Sequence, residues 1–240
     1  MAGIFKAYDI RGIYPEQLNE QIAEKIGRAF TIFLKAKKIV VGRDVRPHSK
    51  PIFEALAKGI TEQGADVIDL GLCSTPMSYF ANGKLSADGS IIITASHNPA
   101  EWNGFKLSRK EAIPISGATG IADIEKLVEN SKWPVSTQKG TVIKYDISKE
   151  YGEFLRKHAK LNRKLRVVVD FANAMGSFEI AGIRDIFEII PLYEELDGSF
   201  PNHEANPLKT ETLENLRKKV VETGADFGAG FDGDADRCGF

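Results

Sequence analysis

Cysteine is scarce in this 240-residue chain: Cys73 and Cys238 stand far apart and form no metal-spaced pair. That argues against a cysteine-held metal and fits two small buried side chains in a reducing compartment. A basic excess is also missing, since 32 Lys and Arg face 33 Asp and Glu for a net charge of -1. Nucleic acid is therefore not the default partner, although small anions need only local positive charge. No stretch approaches the roughly 18 apolar residues of a membrane span, and Met1-Ala2-Gly3-Ile4-Phe5-Lys6 has no apolar signal core. A cytoplasmic protein without a membrane partner is expected. No Walker A loop and no Gly-x-Gly-x-x-Gly fingerprint supports nucleotide binding, and no Gly-x-Ser-x-Gly elbow supports an esterase-type serine.

What is present is a regular alternation. A strand through Tyr8-Asp9-Ile10-Arg11-Gly12 precedes a helix capped by Asn19, whose buried face carries Ile22, Ala23, Ile26, Phe30, Phe33 and Leu34. Strands follow at Lys38–Gly42, Asp66–Leu72 and Ser90–Ile93. A helix over Pro51–Gln63 is closed by Gly64, and Ser74-Thr75-Pro76 opens another. The pattern weakens into loops from Glu101 to Gly120, then gives helices over Ile121–Glu129 and about Ser148–His158, with a connection over residues 133–139 between them. Val167-Val168-Val169 starts a fresh cycle. The reading is an α/β chain of two consecutive mixed, mostly parallel sheet domains with helices on both faces, at residues 1–150 and 151–240. Glu62-Gln63-Gly64-Ala65-Asp66 and Glu222-Thr223-Gly224-Ala225-Asp226 echo each other as helix-to-strand joints.

Two loops concentrate the chemistry. Ile91-Ile92-Ile93 runs into Thr94-Ala95-Ser96-His97-Asn98-Pro99, where Asn-Pro disfavours helix and lifts the Ser96 hydroxyl out on a turn. His97 is a poor base for Ser96, because neighbouring side chains on a strand point to opposite faces. Asp232, Asp234 and Asp236 alternate with small residues and turn three hard oxygen ligands to one side, which suits Mg²⁺. No Glu follows at the spacing an EF-hand requires. Arg237 adds a fork for phosphate. Asn103, Gly104 and Lys106 lie just downstream of Ser96, and Lys106 becomes a proton acceptor if cations depress its pKa. Arg11, Arg43 and Arg46 sit at strand ends, where open α/β sheets bind ligands, with Arg43–Asp44 pairing as the structural alternative.

Tyr8-Asp9-Ile10-Arg11-Gly12, Val41-Gly42-Arg43-Asp44-Val45-Arg46, Thr94-Ala95-Ser96-His97-Asn98-Pro99, Asn103-Gly104-Phe105-Lys106 and Asp232-Gly233-Asp234-Ala235-Asp236-Arg237 follow one another in the order seen in the α-D-phosphohexomutases. The chain resembles the N-terminal portion of that family, which includes phosphomannomutases and phosphoglucomutases. The resemblance implies that Ser96 is a phosphoserine exchanging its phosphoryl group with a hexose phosphate through a bisphosphorylated sugar. It implies that Asp232, Asp234 and Asp236 hold Mg²⁺ together with an oxygen of Ser96. Lys106 would be the general base, with Arg11 and His97 lining the site. Tyr8, Asn98, Asn103 and Arg237 would serve the substrate or its phosphate, Tyr8 and Asn98 by supporting the loop.

The family usually has four domains. The third carries a Gly-Glu-x-Ser-Gly sugar loop and the fourth an Arg- and Ser-rich phosphate clamp, and neither motif occurs here. The expectation is an N-terminal fragment with weak or no activity alone, completed by the missing domains or a complementing chain and able to self-associate through uncovered apolar surface. A silent partner module and a metal-dependent phosphatase are the alternatives. Asp-Gly-Asp-Ala-Asp-Arg leans slightly toward mannose and glucose phosphates.

Overall fold

The structure is a computed structural model and describes residues 3–134 and 136–240. Met1 and Ala2, at the start of the segment read as lacking a signal core, and Val135 in the connection lie outside the described residues.

Six strands form the first sheet: β1 (Ile10–Ile13), β2 (Lys38–Arg43), β3 (Asp66–Leu72), β4 (Gly89–Ile93), β5 (Trp102–Arg109) and β6 (Val142–Lys144). Their order is β1-β5-β4-β2-β3-β6. Strands β4, β2, β3 and β6 are parallel, while β5 runs antiparallel to both β4 and β1. Helices α1 (Glu20–Leu34), α2 (Ser49–Glu62), α3 (Thr75–Lys84) and α4 (Ile121–Asn130) cover it. Asn19 caps α1 by accepting from the Ile22 N–H at 3.1 Å, and Lys35 ends it in the left-handed region. Ile26 and Phe30 of α1 pack with Ile52, Leu56 and Ile60 of α2 on one face. Each such buried side chain contributes about 1.5–3 kcal/mol of apolar transfer. On the other face, Val40, Ile68 and Ile92 meet Met77 and Ala81 of α3 and Tyr151 of α5 (Ser148–His158).

The expected loop over residues 101–120 is corrected. Its first half is β5, in register with β1 through Arg11–Gly104 and with β4 through Ile92–Lys106. Asn103 and Gly104 resemble a turn, but Gly104 is needed inside the sheet, where a Cβ would lie 2.1 Å from the Ile10 carbonyl oxygen. The β1 strand also starts at Ile10 and leaves Tyr8 outside it.

The second sheet contains β7 (Leu165–Asp170), β8 (Phe187–Leu192), β9 (Phe227–Phe231) and β10 (Cys238–Gly239) in the order β10-β9-β7-β8. Strands β9, β7 and β8 are parallel and β10 is antiparallel, with Cys238 exposed on this short edge strand rather than buried like Cys73. Helices α6 (Gly176–Glu179) and α7 (Glu214–Thr223) complete this unit. Each half of the sequence echo makes the joint it suggests. Gly64 and Gly224 take positive φ (87° and 60°), and Asp66 and Asp226 each accept a backbone N–H, from Thr141 and Arg166. Among the described residues, no helix is long and apolar enough to cross a membrane. The loops after β4 and after β9 both leave carboxyl ends of parallel strands, and they meet.

Candidate functional site

Ser96 follows β4 by three residues and adopts a left-handed backbone, φ 54°. That conformation costs a non-glycine residue about 1–3 kcal/mol and persists only where surroundings over-determine it. Here they do. The Ser96 N–H donates to Thr94 Oγ1 at 2.8 Å, and the Asn98 N–H closes the turn on the Ala95 carbonyl at 3.0 Å. Beneath the loop, the buried Arg46 guanidinium donates to four carbonyls, those of Ser96 (3.0 Å), Asn98 (2.6 Å), Pro99 (2.5 Å) and Trp102 (2.9 Å). Its Nε pairs with Asp44 at 3.1 Å. Arg11 braces the rim, donating to the Ala95 carbonyl (3.1 Å) and to Asn98 Oδ1 (2.6 Å) while paired with Asp9.

The acidic loop closes over this turn. Ser96 Oγ donates to Asp232 Oδ2 at 2.8 Å. Arg237 Nη2 also donates to Ser96 Oγ, lies 2.9 Å from Asp232 Oδ2, and reaches His97 Nδ1 at 2.5 Å. Gly233 permits the approach, because a Cβ there would fall 2.2 Å from the Ser96 carbonyl oxygen. The hydroxyl is consequently not exposed as the turn suggests: Ser96 has 0% relative exposure. The three aspartates offer ligand oxygens within 4.8 Å of one another. Lys106, from β5, sits 2.5 Å from both Asp234 and Asp236.

These neighbours set the charges. Burial, then the charges of Asp234 and Asp236, push the Asp232 carboxyl up. Burial also opposes ionisation of Asp234, but Lys106 holds it low. Lys106 is desolvated too, yet the two carboxylates keep its proton well above the usual lysine range. In this arrangement Lys106 is an ion-pair partner, not the base with depressed pKa anticipated from nearby cations. Burial and the Arg237 charge lower His97, so its neutral Nδ1 accepts from the guanidinium. A divalent cation fits this donor set. All three ligands are hard oxygens, and Asp234 Oδ1 is buried with no hydrogen-bond partner among the described residues.

The structure brings Ser96, His97, Lys106, Asp232, Asp234, Asp236 and Arg237 together, with Arg11 and Asn98 supporting the loop. Two other candidates lie outside that cluster. Tyr8 is 82% exposed at the surface. Asn103 is fully buried behind the loop, its amide on His48 Nδ1 (2.8 Å) and Ser49 Oγ (3.0 Å). The strand alternation used to separate His97 from Ser96 does not apply there, since both lie in a turn beyond β4 with Ser96 left-handed, and Arg237 contacts both. Arg43 pairs with Asp69 at 3.0 Å, while Asp44 pairs with Arg46. Sequence reasoning missed the carbonyl-binding role of Arg46, and it missed Thr75, whose Oγ1 donates to Asp234 Oδ2. The available signal for Thr75 was its place just beyond the carboxyl end of β3, the ligand edge of such sheets.

Comparison with known proteins agrees with this architecture. Residues 2–134 match the family model of phosphoglucomutase/phosphomannomutase α/β/α domain I, and residues 149–240 match domain II. A phosphomannomutase of Escherichia coli is 44% identical over 98% of this chain and 54% of its own length. Phosphohexose mutases of Xanthomonas campestris are 39% identical with the same coverage. The crystal structure of a phosphoglucomutase/phosphomannomutase family protein from Burkholderia thailandensis superposes with a TM-score of 0.92 at 35% identity, over 98% of this chain and 54% of that one. The chain thus spans about half the length of the curated relatives it matches, and it belongs to the α-D-phosphohexomutase family, the phosphoglucomutases and phosphomannomutases.

Proposed function

We propose that this chain is the phosphoryl-transferring portion of a phosphohexomutase that shifts a phosphoryl group between the 6- and 1-positions of mannose or glucose phosphate. Ser96 carries the group. The observation that carries the reading is the enclosure of Ser96 Oγ between Asp232 Oδ2, at 2.8 Å, and the Arg237 guanidinium. A structural serine in a turn has no need of an acidic loop and an arginine from the second sheet.

In the transfer, a hexose hydroxyl oxygen bonds to phosphorus while the P–Oγ bond of phosphoserine breaks. The hexose hydroxyl loses a proton and Ser96 Oγ regains one. Arg237 neutralises the phosphoryl oxygens, and the Arg46 cradle keeps Oγ in line during the exchange. Lys106 is assigned the hydroxyl proton, which requires its contacts to Asp234 and Asp236 to be released and its own proton to have passed to solvent first. Asp232, Asp234 and Asp236 would hold Mg²⁺, which when bound supplies positive charge to the phosphoryl oxygens. The second phosphoryl transfer, from the bisphosphorylated sugar back to Ser96, uses the same groups.

Remote contacts to the hexose and its far phosphate are assigned to the part of the relatives beyond the matched half. Without them, turnover of a hexose monophosphate by this chain is slow, because those contacts hold the attack geometry. The test uses a hexose 1,6-bisphosphate with labelled phosphoryl groups, Mg²⁺ and peptide mapping. Label on the peptide containing Ser96 is expected. Label elsewhere, or steady phosphate release with no labelled protein, would overturn the reading; the second result would favour a phosphatase.

A further inference from the structure

The α3 helix begins where the two sheets meet, and the hydroxyls of its N-cap Ser74 and first residue Thr75 are tied to the second unit. Ser74, the N-cap, accepts from the Met77 N–H (3.2 Å) and donates to Glu179 Oε2 at 2.5 Å. Tyr151 holds the other oxygen of Glu179 at 2.5 Å. Thr75, next in sequence, makes two contacts to one aspartate: its N–H donates to the Asp234 carbonyl at 2.9 Å, and its Oγ1 donates to Asp234 Oδ2. Ser74, Thr75 and Asp234 are all fully buried. Asp234 Oδ2 is shared by Thr75 and Lys106, whereas Oδ1 has no partner among the described residues.

We propose that Thr75 is a positioning residue for the metal loop: it fixes the backbone and one carboxylate oxygen of Asp234 so that the other oxygen is presented to the cation. This inference rests on the metal-supported reading of the Asp232–Asp236 loop. The physical case is that a carboxylate free to rotate loses entropy on binding a cation, and Thr75 removes that freedom beforehand. Partners of ligating carboxylates typically alter metal affinity 10–100-fold when removed. Because Thr75 is uncharged, its effect is separable from the charge of the loop.

The experiment measures Mn²⁺ binding to this chain by calorimetry, alongside the thermal midpoint of each metal-free protein. Thr75→Val keeps shape and removes the hydroxyl; it is expected to weaken Mn²⁺ at least about tenfold at an unchanged metal-free far-UV spectrum. Thr75→Ser, which keeps the hydroxyl, is expected to bind close to the parent and clearly tighter than Thr75→Val, a rescue that packing alone would not give. If Thr75→Val does not fold, Thr75→Ala against Thr75→Ser makes the same comparison. Parent-like binding by the hydroxyl-free variant, with binding lost in Asp234→Asn, would overturn the positioning role and leave the metal reading standing. Parent-like binding by Asp234→Asn would overturn both.

Discussion

Ser96 Oγ and Asp232 Oδ2 lie 2.8 Å apart although 136 positions separate them in sequence. One loop ends a strand of the first sheet and the other ends a strand of the second. Neither sheet holds the site alone, so substitutions that disturb their meeting should affect cation binding and stability together.

Gly233→Ala is the smallest such disturbance. Its Cβ would meet the Ser96 carbonyl oxygen at 2.2 Å, and backbone cannot swing aside as a side chain can. A loss of about 1–3 kcal/mol in urea denaturation is expected, the usual range for overpacking. Gly83→Ala in α3 serves as control, since nothing lies within 4 Å of its added methyl. That change should be neutral or stabilising by up to about 1 kcal/mol.

Arg46 organises the Ser96 turn through four carbonyls and is itself desolvated, with Asp44 partly offsetting the penalty. Removing one partner of such a buried pair typically costs about 3–5 kcal/mol, and Arg46→Ala is expected to lose that much by urea midpoint. Arg46→Lys restores the charge but not the planar fork, and should recover only part of the loss. Full recovery by lysine would show that charge alone matters.

Cation binding should appear as stability. A ligand that binds only the folded chain stabilises it by about 2.7 kcal/mol at a hundredfold excess over its dissociation constant. Mg²⁺ is therefore expected to raise the thermal midpoint, and chelation to reverse it. The rise should vanish in Asp234→Asn. An equal rise in that variant would place the cation elsewhere.

His203 provides a pH test away from the metal loop. Its Nε2 lies 3.0 Å from Asp170 Oδ2, and this hydrogen bond raises its pKa despite burial. A raised folded value means the pair stabilises fully below the unfolded pKa of about 6.5, with the contribution lost as pH rises through the folded value. The midpoint gap between the parent and His203→Gln should be wider at pH 5.5 than at pH 8.5. Equal gaps would show that the pairing is not charge-dependent.

Local chemistry made much of this legible. Asn19, Ser74 and Gly64 mark helix ends by capping, and Asp66–Leu72 reads as a strand because its apolar run is bounded by such signals. The two site loops stand out because alternating aspartates and an Asn-Pro turn are uncommon at strand ends. What stayed hidden depends on distant partners. β5 is disguised by Asn103-Gly104, and β8 by Pro191, which an edge strand tolerates. Ser96 is enclosed only because a loop from the other sheet lands on it. Thr75 looks like an ordinary helix start until Asp234 is placed opposite its hydroxyl.

The most direct measurement is the intact mass of the chain after exposure to a hexose 1,6-bisphosphate and Mg²⁺, then after phosphatase treatment. The account predicts a gain of one phosphoryl group, lost with phosphatase and never acquired by Ser96→Ala. No gain in the parent chain, or an equal gain in Ser96→Ala, would contradict it.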